Sequence, residues 1–290
     1  MQLFLYHLFA GLSIGGVYAL LALALVMIYR STHHVNFAQG EMAMFSTYLA
    51  WTLIGAGLPY WLAFAITLCA SFATGVLIQR AIIEPLGNAP TLVIVVVFMA
   101  LYIILNSTAG LLYDYELKDF PSPFPAGMAL PGGYMSGHQT GMILVTAAVL
   151  ALIFCFFRFT QAGLAMRAVA FNPISSRLVG IRVAWMLAVG WGLAAAVGAV
   201  AGMMTAPVLF LDPNMMSGVL LYAFAAALLG GIDNPWGAVL GGFIVGIVEA
   251  LGGAYLVGTE LKLTLALGVI VLVLVVRPNG LFGNTLMSRV

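Results

Sequence analysis

Phe159-Thr-Gln-Ala-Gly-Leu-Ala-Met-Arg-Ala-Val-Ala-Phe-Asn-Pro-Ile-Ser-Ser-Arg-Leu-Val-Gly-Ile-Arg182 is a basic segment set between two long apolar runs, residues 140–157 and 183–205. The chain has only ten Lys and Arg, and Arg158, Arg167, Arg177 and Arg182 lie in or beside this one stretch. Apolar runs of about 20 residues suit a lipid bilayer, and positive charge between them marks a cytoplasmic loop. The segment also carries helix grammar. Thr160 or Gln161 can open a short helix through Leu164, Met166 and Arg167. Asn172 is a good N-cap, and Pro173 suits the first position of a second helix because its missing N–H would be unpaired there anyway. Gly180 can supply the left-handed residue that ends it. Two short helices with a fixed corner make a rigid cytoplasmic knob, a docking element. The simpler alternative is a loop whose arginines only set topology.

Working outward, the rest of the chain is of one kind. Hydrophobic residues make up 63%, charged residues 7%, and the mean hydropathy is +1.13. Water-facing domains carry about 25% charged residues, so this chain cannot clothe a soluble surface. The fold class expected is all-α: a polytopic membrane protein of about 8–9 transmembrane helices, some short or broken, in a single transmembrane domain over 1–290. Candidate spans are 3–29, 38–57, 60–82, 90–112, 140–157, 183–205, 217–231, 236–256 and 262–276, the second and seventh being the weakest. The first has no basic flank or cleavage site before it and reads as a retained helix.

Arg30, Arg80, the loop 158–182, and Arg277 with Arg289 follow odd-numbered spans and should be cytoplasmic. Asp114, Glu116, Lys118, Asp119, Asp212, Glu260 and Lys262 fall on the other side. That alternation predicts an external N-terminus and a cytoplasmic C-terminus. The long external loop, 113–139, is kept irregular by Pro121, Pro123, Pro125, Pro131 and Gly132-Gly133. It reads as a surface loop over the bundle or as a platform for an external partner. Cys69 and Cys155 sit in apolar runs and read as small buried hydrophobes. Nothing suggests nucleic acid, since basic residues occur only at loop ends.

Several ordered motifs then accumulate. They are Gly15-Gly-Val-Tyr-Ala-Leu20; Val35-Asn-Phe-Ala-Gln-Gly-Glu-Met42; Gly163-Leu-Ala-Met-Arg-Ala-Val-Ala-Phe-Asn-Pro173 with Leu178-Val-Gly-Ile181; Leu229-Gly-Gly-Ile-Asp-Asn-Pro-Trp-Gly-Ala-Val-Leu-Gly-Gly242; and Arg277-Pro-Asn-Gly-Leu-Phe-Gly283. Together they resemble the permeases of branched-chain amino acid ABC transporters, and most resemble the shorter, LivH-like subunit. The resemblance runs over nearly the whole chain. It implies an importer in the cell inner membrane. Its partners would be a second permease (LivM-like or a copy of this chain), two cytoplasmic ABC ATPases and an external substrate-binding protein. It also implies that the loop 158–182 couples to the ATPase through Arg167, Asn172, Pro173, Arg177 and Gly180. No cofactor is expected in this chain, with ATP and Mg held by the ATPases. Consistently, the chain has no G-x-x-x-x-G-K-[ST] loop, and neither Lys118 nor Lys262 follows a glycine. Nor does it carry H-E-x-x-H or G-x-S-x-G, so it is expected to be a transport subunit and not an enzyme.

Polar residues inside spans are costly in lipid and tend to face a cavity or protein. Asn36, Gln39 and Glu41 stand where the second span leaves the cytoplasm, either as a capped helix start with Asn36 as N-cap or as part of the pathway or gate. Asn234 with Pro235 reads as a cap of the eighth span. Glu249, deep in that span, could be a substrate contact, a proton-coupling carboxylate or a hydrogen-bonded structural group. Asn106 is the other deep polar residue. Gly11/Gly15, Gly198/Gly202, Gly237/Gly241 and Gly242/Gly246 are small-x-x-x-small pairs that mark helix contacts. Two other function classes remain open at this point: an ion-driven secondary transporter using Glu249 or Glu41, and a passive channel for a small neutral solute such as urea.

Overall fold

The computed structural model describes residues 2–87, 89–128, 134–258 and 260–283. Pro131, Gly132, Gly133 and Arg289 lie outside them. The helices are α1 (Gln2–Thr32), α2 (Gln39–Gly55), α3 (Tyr60–Ile78, prolonged through a π-helical turn Gln79–Ile83 to Leu86), α4 (Thr91–Tyr113) and α5 (Gly137–Phe159). There follow α6 (Gln161–Phe171), α7 (Pro173–Leu178), α8 (Val183–Leu209), α9 (Met215–Gly230), α10 (Pro235–Gly252, prolonged by a π-helical turn Gly253–Val257) and α11 (Lys262–Val276). Extended pairing among the described residues amounts to one isolated bridge, Lys118 with Leu211.

Among the described residues six helices are long and apolar enough to cross a membrane: residues 2–32, 60–86, 91–113, 137–159, 183–209 and 235–256. The chain is a multi-pass membrane protein. Three further apolar helices are short, as expected of some. The segments read as spans 38–57, 217–231 and 262–276 are helices of 17, 16 and 15 residues. At 1.5 Å per residue the longest of these reaches about 25 Å, short of the roughly 30 Å hydrocarbon thickness.

The outer faces are apolar. On α4, Leu92, Val96, Ile103, Ile104 and Leu111 are exposed. Such a surface has no stable contact with water and is the face a bilayer covers. Cys69 and Cys155, expected to be buried, stand exposed on α3 and α5. An apolar run in a membrane helix faces lipid as readily as protein, so apolar neighbours in sequence do not imply burial.

The chain packs as two compact units: Met27–Pro121 with Ala147–Ser217, and the remainder. In the first, α8 packs along α2 and α3, and α2 also packs against α3 and α4. Glycine permits the close approach. A Cβ on Gly198 would stand 2.6 Å from Gln39 Nε2, and one on Gly202 would stand 2.8 Å from the Ala43 carbonyl. The loop after α4 is tied to the helix ends of the same unit. Trp51 Nε1 donates to the Asp119 carbonyl at 3.1 Å, and Lys118 Nζ lies 5.5 Å over the Trp51 ring.

In the second unit α1 crosses α10 through small residues on both helices. A Cβ on Gly11 would meet the Gly246 carbonyl at 2.8 Å, and one on Gly246 would fall on the backbone of Gly15. Gly242 meets Ala19 in the same way, and Gly241 meets the Ala226 carbonyl of α9. The segment after α11 returns to the α9–α10 turn: Leu281 N–H donates to the Leu229 carbonyl at 2.8 Å, and Phe282 N–H to that of Gly230 at 3.1 Å. The motif at 229–242 is thus contacted by two others, by Gly15–Leu20 at its Gly242 end and by 277–283 at its Leu229 end.

Candidate functional site

The knob between α5 and α8 forms as its residues predict. Thr160 caps α6, its hydroxyl oxygen accepting the Gly163 N–H at 3.0 Å while its O–H donates to the Phe156 carbonyl at 2.6 Å. Asn172 ends α6 and opens α7, its Oδ1 accepting the Ser175 N–H at 3.0 Å, and Pro173 takes the first helical position. Gly180, at φ +84°, turns the chain out of α7 through the left-handed region. The inner side is anchored: Val169 and Ser176 are buried, and Met166 reaches Gly190 of α8.

The outer side is unusual for a water-facing loop. Phe171, Ile174, Leu178 and Val179 are 75–90% exposed, beside the exposed Arg167 and Arg177. Apolar side chains and two arginines are thus exposed together on a capped corner.

Asn36, Gln39 and Glu41 are brought together, but not at a helix end on the membrane surface. Gln39 Nε2 donates to the Ala194 carbonyl at 3.0 Å. Ala194 is eleven residues beyond Val183, the start of α8, which is about 17 Å along that helix. The far end of α2 lies with the end of α4 and the loop after it, since Thr52 Oγ1 and the Tyr113 hydroxyl are 2.9 Å apart. The first turn of α2 therefore stands deep in the bundle, and the non-helical residues before it run at membrane depth. Backbone of that kind survives only where protein covers it or a cavity is lined by it. Within it Asn36 and Ala38 are buried, as are Gln39 and Glu41 just beyond, all at most 1% exposed. Asn36 is also not the N-cap. Ala38 holds that position, and Asn36 Oδ1 accepts the Ala38 N–H at 3.0 Å in a local turn.

Glu41 is reached from α4, through a residue that also holds the loop before α9. Asn106 Nδ2 on α4 contacts Glu41 Oε2 at 3.3 Å, the Pro213 carbonyl at 2.9 Å and Asn214 Oδ1 at 3.2 Å. Asn214 was not legible as a member of this cluster, because it sits in a short loop whose only sequence signal is an acidic turn. A cavity of about 110 Å³ lies alongside, lined by Met42, Phe45, Ser46, Ser71, Leu105 and others. Its mostly apolar walls with a few hydroxyls suit a small amphipathic solute or side chain.

Glu249 belongs to the other unit. Its Oε2 accepts the Tyr18 hydroxyl at 2.6 Å, and Tyr18 stacks on Tyr222 with ring centroids 4.9 Å apart. Tyr18 lies inside the Gly15–Leu20 motif, the only sequence hint of the pairing. Asn234 does cap α10 as expected, accepting the Trp236 and Gly237 N–H groups, each at 3.2 Å.

Comparison with known proteins adds a family. The profile described as "Branched-chain amino acid transport system / permease component" matches residues 7–274. The chain is 30% identical over 310 residues to the high-affinity branched-chain amino acid transport system permease protein LivH of Escherichia coli, covering 99% of this chain and 98% of that one. It is 30% identical over 305 residues to the corresponding permease BraD of Pseudomonas aeruginosa, with the same coverage. To a probable LivH of Methanocaldococcus jannaschii it is 28% identical over 278 residues, covering 91% of this chain and 88% of that protein.

Proposed function

The chain belongs to the permease-component family of branched-chain amino acid transport systems, and from that premise we propose that it forms part of the membrane passage of an ATP-driven importer for leucine, isoleucine, valine or similar apolar amino acids. The observation that carries the reading is the knob: a capped, rigid corner whose outer face is apolar and basic and whose inner face is anchored to a long membrane helix. Its partners are two cytoplasmic ABC ATPases, a second permease subunit and an external binding protein. ATP and Mg reside on the ATPases, and this chain contributes no covalent chemistry.

Within one unit the contacts make a short mechanical route. Arg167, Asn172, Pro173, Arg177 and Gly180 hold the shape and charge of the docking corner. Met166 reaches Gly190 of α8. One turn further along α8, the Ala194 carbonyl holds Gln39. A push on the knob that shifts α8 thus acts on the buried first turn of α2, where Asn36, Gln39 and Glu41 form the gate region of the pathway. Glu249 supports the other unit as a structural group.

The orientation proposed is a cytoplasmic knob and C-terminus with an external N-terminus. Its support is the charge alternation together with two groupings of ends. Arg80 lies 5.0 Å over Trp185 at the knob side, and Trp51, Asp119, Lys118 and Leu211 gather at the opposite side.

The test is purification of the tagged chain in mild detergent with mass spectrometry of stoichiometric partners. Recovery of P-loop ATPases with a second permease is the expected result. Recovery of the chain alone, with Ile174 cysteine variants giving no cross-link to any ATPase in intact membranes, would refute the coupling role.

A further inference from the structure

A second feature of the knob side borders the docking corner and shares Arg177 with it. At the start of α8 an open cavity of about 730 Å³ is lined by Arg80, Arg177, Arg182, Ile181 and Trp185, with the first residues of the helix. Three of the chain's ten basic residues surround this one space. Among the described residues none of the three has a carboxylate within ion-pair distance, and Glu84, one turn beyond Arg80, does not line the cavity. Guanidinium groups held around a shared space repel each other unless an anion sits between them. They are also placed rather than loose: Arg80 stands in the π-helical turn of α3 and is stacked over Trp185, Arg177 ends α7, and Arg182 immediately precedes α8.

Guanidinium forks match phosphate oxygens in bidentate geometry, and the positive start of a 27-residue helix adds to the same field. The surroundings select the source of the phosphate. Leu77, one turn before Arg80 on α3, is 64% exposed, and Trp185 is 42% exposed. The wall formed by Arg80 and Trp185 thus adjoins a membrane-spanning helix whose exposed Leu77 lies one turn away, and Trp185 is an aromatic ring of the kind found at bilayer interfaces. A soluble anion has no use for that wall, whereas an acyl chain does. We infer that this cavity binds the phosphodiester headgroup of an anionic phospholipid, with its chains lying along α3. The bound lipid offsets part of the cluster's positive charge and seats the root of the knob at the membrane surface.

The experiment titrates the detergent-purified complex, with whatever subunits accompany the chain, with short-chain phosphatidylglycerol, short-chain phosphatidylcholine and glycerol phosphate, read by native mass spectrometry. The expected result is selective retention of phosphatidylglycerol. Arg80→Gln with Arg182→Gln should weaken it by about fivefold per arginine, roughly thirtyfold for the pair. Arg80→Lys with Arg182→Lys, which keeps the charge but not the fork, should restore only part of it. Equal binding of phosphatidylcholine by the wild type would overturn the proposal even if the glutamine variant fails to fold. So would undiminished binding in a folded glutamine variant. Displacement by glycerol phosphate at concentrations equal to the lipid would make this a site for a soluble anion. Loss of lipid whenever the ATPase is bound would assign the arginines to that partner.

Discussion

Replacing Asn172 by alanine removes the Oδ1 that accepts the Ser175 N–H at 3.0 Å, while the backbone bond from Ser176 N–H to the Asn172 carbonyl stays available. Loss of an N-cap costs about 1 kcal/mol. In a long helix that cost is spread over many bonds. Here α7 has six residues, too few to persist on its own, so the whole loss bears on the shape of the corner. One kcal/mol changes the ratio of formed to frayed knob about fivefold. Hydrogen exchange of the protein in nanodiscs should therefore show the Ser176, Val179 and Gly180 amides exchanging about fivefold faster, with the middle of α8 unchanged. ATP-driven uptake should fall in the same variant, and Asn172→Asp, which restores an acceptor, should recover both. Unchanged exchange in Asn172→Ala, or an aspartate variant as poor as the alanine one, would refute the claim that this cap holds the docking surface.

Gly180→Ala tests the other end of the corner. No atom lies within 4 Å of the added Cβ, but φ is +84°, so the cost of about 1–2 kcal/mol is purely backbone and should reduce uptake without loss of membrane insertion, as checked by expression and transport side by side. Gly246→Ala should be far more damaging to folding, because its Cβ falls on the Gly15 backbone, whereas Gly218→Ala meets nothing within 4 Å; detergent melting temperatures should separate the two by several degrees. Tyr18→Phe strips Glu249 of its 2.6 Å donor and should lower stability by about 1–3 kcal/mol, while Glu249→Gln should keep uptake within a few fold. Abolished uptake in a well-folded Glu249→Gln protein would instead point to a carboxylate that carries a proton.

Local grammar was readable from the residues. Thr160, Asn172 and Asn234 all cap the helices that follow them, because a cap depends on three or four neighbouring residues. Depth was not readable. Gln39 looks like the start of a span from its neighbours, and only its bond to Ala194, 155 positions away in the chain, shows that α2 begins inside the bundle. Asn36 failed as a cap for a related reason: its side chain closes a turn before the helix begins. The small-residue pairs announced close contacts but not their partners, since Gly11/Gly15 and Gly242/Gly246 carry the same signal and only folding brings them against each other. The two cysteines were misjudged because apolar sequence means lipid-facing as often as buried once a bilayer is the solvent.

The most direct measurement of the central claim is uptake of labelled leucine into proteoliposomes holding this chain with its co-purified subunits, with the external binding protein added outside. Uptake that requires ATP on the knob side, and stops when the knob is altered by Asn172-Pro173 to Gly-Gly, is the predicted result. Uptake that proceeds without ATP and collapses when the proton gradient is removed would contradict the account.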